Sequence, residues 1–201
     1  MAIITDYATL QQAIADYLTR DDLLGFIPNF IQNCENKLYR RLNLRNEEAA
    51  LNVDILSGVA VVPSDFKALK FAYFDDTFAE QLHWVPLNEL YLDYPNRNEA
   101  QIPSVISREA TNFVFGPSSK DGTLRGVYYA KPASVRTGTS WYVENAPEVL
   151  LYGALLESAP FIRDDERLIT WGNLFRDAVE SIEEEQRNAE TSMGPIRQRA
   201  S

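Results

Sequence analysis

The sequence predicts an α+β protein: a helical bundle formed by N- and C-terminal helices, with an antiparallel β-sandwich or barrel domain inserted between them. Three observations predict it. Apolar residues recur at helical spacing up to about residue 45 and again from about 141, whereas the stretch between alternates with the short period of strands. The composition, 45% hydrophobic and 24% charged over 201 residues, is that of a chain able to bury a core. The two helical blocks each present a stripe that needs cover, and packing on one another supplies it. The predicted organisation is therefore 1–45 and 141–190 as the bundle, 46–140 as the inserted β-domain, and 191–201 as a flexible C-terminal tail.

Residues 6–18 place Tyr7, Leu10, Ile14, Tyr17 and Leu18 on one helical face, with Thr5 or Asp6 available as the N-cap. A second helix over 27–43 carries Pro28 in its first turn and Phe30, Ile31, Cys34, Leu38 and Leu42 along one stripe. Arg40 and Arg41 fall in its last turn, where cations suit the helix dipole. From about Arg45 seven strand-like runs follow, from "ALNVDIL" to "TLRGVYYAKP", interrupted by a helical turn or two at 87–94.

Residues 146–167, "APEVLLYGALLESAPFIRDDER", predict a third helix over 146–159 that is apolar on nearly every side and stops or bends at Pro160. Asn145 and Glu148 have the spacing of a capping box around Pro147. "RDDE" then offers N-caps for a long helix to about 188, with Leu168, Trp171, Phe175, Ala178 and Ile182 on one face. Asn173, Asp177, Glu180, Glu184 and Arg187 face away. "TSMGPIRQRAS" has no periodicity and reads as the tail.

Asp plus Glu number 29 against 19 Lys plus Arg, a formal net charge of −10, which disfavours a surface built to grip phosphates. Residues 147–201 hold 11 acids and 6 bases, a net of −5, so about half the excess lies there. Cys34 is the single cysteine, so no internal disulfide and no cysteine-based zinc site is expected. The start "MAIITDYATL" lacks a signal-peptide pattern and no apolar run reaches membrane-spanning length, so an intracellular product without a membrane partner is expected.

Little in the chain suggests catalysis, and neither an enzyme nor a cofactor is expected. His83 is the only histidine and reads as a surface or half-buried strand residue. Asp164 and Asp165 read as helix caps, and Asp75 and Asp76 as a hairpin turn, more readily than as metal ligands. "GPSSKDGTL" lacks the Gly-Lys-Ser/Thr ending of a phosphate loop, and its Asp121-Gly122 reads as a tight hairpin turn. Cys34 reads as core. Lys37, Arg40, Arg41 and Arg45 around Tyr39 make at most a small phosphate-contact patch, and a charge-compatible helix end explains them better.

The order of elements is the informative signal. "ITDYATLQQAIADYLTRDDL", "IPNFIQNCENKLYRRLNLR", "VVPSDFKALKFAYF", "PLNELYLDYP", "GVYYAKPASV" and above all "NAPEVLLYGALLESAPFIRDDERLITWGNLF" resemble the head-to-tail adaptor, tail tubular protein A-like, family of short-tailed bacteriophages. The resemblance covers nearly the whole chain. It implies a non-enzymatic virion protein, assembled in the host cytoplasm. The family forms a ring, usually of twelve copies, beneath the portal protein, extends the DNA channel and meets the tail nozzle or tail fibres. Double-stranded DNA would pass without specific binding.

On that resemblance, Met193, Ile196, Arg197 and Arg199 are the candidate portal-docking residues. Tyr152, Leu155, Leu156, Trp171 and Phe175 are candidates for the bundle or the subunit interface, and Glu180, Glu183 and Glu184 for the channel face, where acids would repel DNA phosphates. The alternative is a virion carbohydrate- or receptor-binding module that stacks sugars on Trp84, Tyr91, Tyr94, Tyr128 and Tyr129 of the β-domain.

Overall fold

A computed structural model describes residues 3–75, 81–96, 101–138, 140–162 and 166–191. The first elements are helix α1 (Tyr7–Leu18), a 3-10 turn (Asp21–Phe26), α2 (Ile27–Arg41) and a 3-10 turn (Arg45–Glu47). Strands β1 (Glu48–Leu56), β2 (Val59–Val61), β3 (Phe66–Phe74) and β4 (His83–Trp84) follow, then α3 (Leu87–Asp93) and strands β5 (Val105–Glu109), β6 (Asn112–Gly116) and β7 (Gly122–Ala130). The chain closes with α4 (Trp141–Asn145), α5 (Pro147–Glu157), a 3-10 turn (Ala159–Phe161) and α6 (Arg167–Thr191). It divides into two compact units, one of Met1–Asn46 with Pro132–Ser201 and the other of Glu47–Lys131.

In the helical unit, α1 starts at a full capping box. The Thr9 amide donates to Asp6 Oδ1 at 2.8 Å and the Asp6 amide donates to Thr9 Oγ1 at 2.9 Å. The Thr9 amide first, and then the Thr9 hydroxyl, which also donates to Asp6 Oδ1, stabilise the ionised carboxylate and hold the Asp6 pKa below the ordinary value. The helix ends where Thr19 takes a left-handed conformation, φ 52°, with its amide bonded to the Ala15 carbonyl. Pro28 occupies the first turn of α2, where a missing N–H costs nothing, and Ile27, Phe30, Ile31, Cys34 and Leu38 are buried.

Helix α5 accounts for its own composition. It packs against α1, α2, α4 and α6, and Val149, Leu150, Leu151, Gly153, Ala154 and Leu155 are buried. A helix with neighbours on several sides has no solvated face to preserve, so its apolar residues need no period. Its closest approach is at Gly153, where an added Cβ would lie 2.2 Å from Cys34 Sγ of α2 and 2.9 Å from Phe175 Cε2 of α6. In α6, Trp171, Val179 and Ile182 are buried, Leu168, Phe175 and Ala178 pack partly buried beside them, and Asn173, Asp177, Glu180, Glu184 and Arg187 are exposed.

The cap of α5 differs from the capping box that Asn145 and Glu148 suggest. Residues 141–145 are already helical, so Asn145 closes α4, donating its side-chain amide to the Trp141 carbonyl at 3.0 Å. The N-cap of α5 is Ala146, in a conformation of φ −149° and ψ 55°, without a side-chain cap. Tyr142 and Val143 are buried, and their burial holds the short helix that displaces the cap. At the other end α5 stops at Glu157, and Pro160 sits in the 3-10 turn that follows. The stretch before α4 joins the same core: Val135 is buried, and Glu35 of α2 accepts from the Val135 amide at 2.7 Å and the Ser134 hydroxyl at 2.9 Å.

The second unit is a seven-stranded sheet in the order β3-β7-β1-β2-β6-β5-β4. Among the described residues its strand pairs are antiparallel except β4 with β5, which is parallel, so the sheet is mixed where the sequence predicted antiparallel pairing throughout. The physical reason is that α3 and the chain after it carry β5 back to start beside β4, a crossover that sets parallel strands side by side. Before β4, the Leu82 amide donates to the Ala72 carbonyl of β3 and the His83 amide to the Ser104 carbonyl, linking the two outer strands through one segment.

The β1–β2 hairpin turns on Ser57-Gly58, at φ 53° and 77°, the two-residue geometry that matches strand twist. Asp121-Gly122 is not a hairpin turn: β6 and β7 do not pair with each other, and Asp121 Oδ1 instead accepts from the Ser57 amide at 2.7 Å, holding that other turn. Leu51, Ile55, Phe74, Ile106, Phe113, Phe115 and Leu124 form a core of this unit's own.

Candidate functional site

Among the described residues with catalytic side chains, Asp75 and Cys34 are engaged in the fold. His83 is exposed on the two-residue β4. Asp75 lies 3.0 Å from the Arg125 guanidinium, with its amide donating to the Thr123 carbonyl. Asp76, Asp164 and Asp165 lie outside the described residues. Cys34 is buried, and desolvation, with smaller contributions from Glu157 and Glu35, pushes its thiol pKa up. Among the described residues no three His, Cys, Asp or Glu side chains come together as a metal site, and no helix is long and apolar enough to cross a membrane.

Two residues of the basic patch, Lys37 and Arg41, are held in ion pairs within the helical unit. Lys37 binds Glu157 of α5, and Arg41 Nε donates to Glu183 of α6 at 3.1 Å. Arg40 donates to the Asn36 carbonyl one turn back. These contacts tie the end of α2 to its neighbours, as charges at a helix C-terminus can do.

The candidate interface residues separate into two kinds. Leu155 is fully buried, and Trp171 nearly so, both in the core of the helical unit. Tyr152, Leu156 and Phe175 are half-buried. Tyr152 meets Tyr17 edge to face with ring centroids 6.5 Å apart, and desolvation with that partner raises its pKa. Among the channel-face candidates, Glu180 and Glu184 are exposed, whereas Glu183 is half-buried and holds Arg41. The exposed acidic face of α6 is thus Asp177, Glu180 and Glu184. The candidate tail residues Met193, Ile196, Arg197 and Arg199 lie outside the described residues.

The five aromatic residues considered for sugar stacking do not make one platform. Tyr128 is buried and donates to Asp65 Oδ1 at 3.0 Å, while its neighbour Tyr129 takes the opposite face of β7 beneath Lys70 Nζ at 5.8 Å. Tyr91 donates to Glu109 at 3.0 Å, the Tyr94 ring covers Gly116, and Trp84 is exposed on β4.

Apolar surface was the feature that the sequence reading passed over. Ile169 of α6 is 72% exposed and Leu174 is also exposed, both off the buried stripe. At the end of the helical unit Phe26 and Phe161 are exposed and meet in a tilted pair at 5.0 Å, with Phe30 packed against both. The signal was present for α6, since two large aliphatics stand among the polar positions of an otherwise regular pattern. Phe26 and Phe161 gave none, because both lie in or beside 3-10 turns without periodicity.

No curated protein matches the chain. Residues 5–199 match the family described as SU10 adaptor protein, a match that runs from the residue before the α1 N-cap, through both units and past the end of α6. With nearly its whole length matched, the chain belongs to the SU10 adaptor protein family, a family of structural bacteriophage proteins of the virion and not of enzymes.

Proposed function

We propose that the chain is a head-to-tail adaptor subunit of the tail tubular protein A-like kind. Copies form a ring, usually of twelve, between the portal protein and the tail nozzle or fibres, and the ring extends the channel through which DNA passes. The observation that carries this reading is the family match over residues 5–199. Two surface features support it. The exposed carboxylates of Asp177, Glu180 and Glu184 give a channel wall the sign that repels phosphates, so DNA slides without adhering. The exposed Ile169, Leu174, Phe26 and Phe161 give neighbouring copies apolar surface to bury. The residues 192–201, with Met193, Ile196, Arg197 and Arg199, reach the portal in this reading.

Mass photometry of the purified protein with and without purified portal tests it. The reading predicts a species of portal plus a closed set of adaptor copies. A protein that never associates with portal at any concentration refutes it.

A further inference from the structure

The helical unit carries an open groove of about 430 Å³ between the N-terminal segment, α1 and the first turns of α5. Ile4, Tyr17, Leu151 and Tyr152 supply its apolar walls, and the exposed carboxylates of Asp16 and Glu148 stand at its edge. An apolar groove with two acids suits a segment that pairs an aliphatic anchor with cations. In the chain's own sequence, "SMGPIRQRAS" at 192–201 has that chemistry: Met193 and Ile196 as anchors, Arg197 and Arg199 as cations, and no acid.

The path of α6 favours the same match. It runs antiparallel to α5, since Phe175 lies beside Gly153 and Gly172 faces Leu156. Its C-terminal end at Thr191 therefore leaves from the end of α5 that holds Pro147 and Glu148. At 1.5 Å per residue, Thr191 lies about 24 Å beyond Phe175 along the axis and Glu148 about 8 Å beyond Gly153, a difference of about 16 Å. Five extended residues carry Ile196 about 17 Å, level with Glu148, and eight carry Arg199 about 26 Å, as far as Tyr152.

We infer that residues 192–201 dock in the groove of their own chain, with Ile196 beside Ile4 and Pro147, Arg197 against Glu148 and Arg199 against Asp16. The inference stands apart from the ring reading and concerns the chain before it meets a partner. Portal attachment and groove docking then compete for one segment.

A nitroxide on Gln198→Cys in the full-length protein, which leaves Ile196 and both arginines in place, tests this by electron paramagnetic resonance. Cys34, buried with its thiol pKa pushed up, stays out of the labelling reaction. The expected spectrum is motionally restricted, and the exposed double substitution Asp16→Lys with Glu148→Lys converts it to fast motion. Glu180→Lys with Glu184→Lys, an equal charge change elsewhere, leaves it restricted. Dilution and excess unlabelled protein leave it unchanged. Fast motion in the parent protein overturns the inference, as does restriction that survives the groove substitutions or is lost equally with the α6 pair. Restriction that depends on concentration overturns docking within one chain, because a second copy then supplies the segment.

Discussion

Gly153→Ala is the sharpest test of how the helical unit is packed. On helix propensity alone the change stabilises α5 by about 1 kcal/mol. The structure predicts the opposite net sign. The new Cβ would lie 2.2 Å from Cys34 Sγ and 2.9 Å from Phe175 Cε2, where unbonded heavy atoms settle at about 3.5–4.0 Å. Phe175 is half-buried and its ring can turn, but Cys34 is buried on α2, so two helix backbones must separate. Overpacking of this kind costs about 1–3 kcal/mol, and with a rigid neighbour the upper end applies. Subtracting the propensity gain leaves a net loss of about 2 kcal/mol, or about 4–8 °C in Tm for a chain of this size. Thermal and urea unfolding followed by far-UV circular dichroism measure it. The double variant Gly153→Ala with Cys34→Ala removes the sulfur and should restore most of the loss, a coupling of more than about 1 kcal/mol. A neutral or stabilising Gly153→Ala, or a double variant with no coupling, refutes the close approach of α2 and α5.

Three further outcomes follow from particular contacts. Glu47 and Lys67 form a 3.0 Å ion pair with side chains only 1% and 9% exposed, so Glu47→Ala should destabilise the β unit by about 3–5 kcal/mol in urea unfolding, more than Glu48→Ala at the more exposed Lys70 pair. Leu155→Asp should unfold the helical unit, since it places a charge where the leucine has 0% exposure, whereas Leu156→Asp at a half-buried position should remain folded by circular dichroism. Burial raises the folded-state pKa of Cys34 above its unfolded value, so between the two the folded protein binds more protons. That stability is complete below about pH 8.5 and falls by about 1.4 kcal/mol per pH unit as pH rises, and Cys34→Ala should flatten the alkaline slope in urea titrations from pH 8 to 11.

The sequence made local elements legible where periodicity spoke, and connections illegible where it did not. The stripe of α2 with Cys34, the face of α6 with Trp171 and Ile182, and all seven strand runs correspond to observed elements; the two helices follow a repeat of burial along the chain, whereas β4 is an exposed pair of residues. The α5 cap was misread because Asn145 has the right chemistry for two positions, and burial of Tyr142 and Val143 assigns it to the end of α4. The parallel β4–β5 pair and the path from β6 to β7 are set by which strands meet across the chain, which alternation cannot report. Lys67 shows the same limit: it stands just before the run "ALKFAYF" as one polar residue among others, and only the fold reveals that Glu47 takes it inside. For function the balance reverses. No single residue carries the family resemblance, which lies in the order of elements, so the match over 5–199 recovers what a search for catalytic motifs had no way to find.

Electron cryomicroscopy of the protein mixed with purified portal tests the central claim most directly. The account predicts a closed ring of adaptor copies coaxial with the portal, with the Asp177–Glu180–Glu184 face of α6 lining the continuous channel. Portal particles without added density, or copies scattered over the portal's outer surface with no ring, would contradict it.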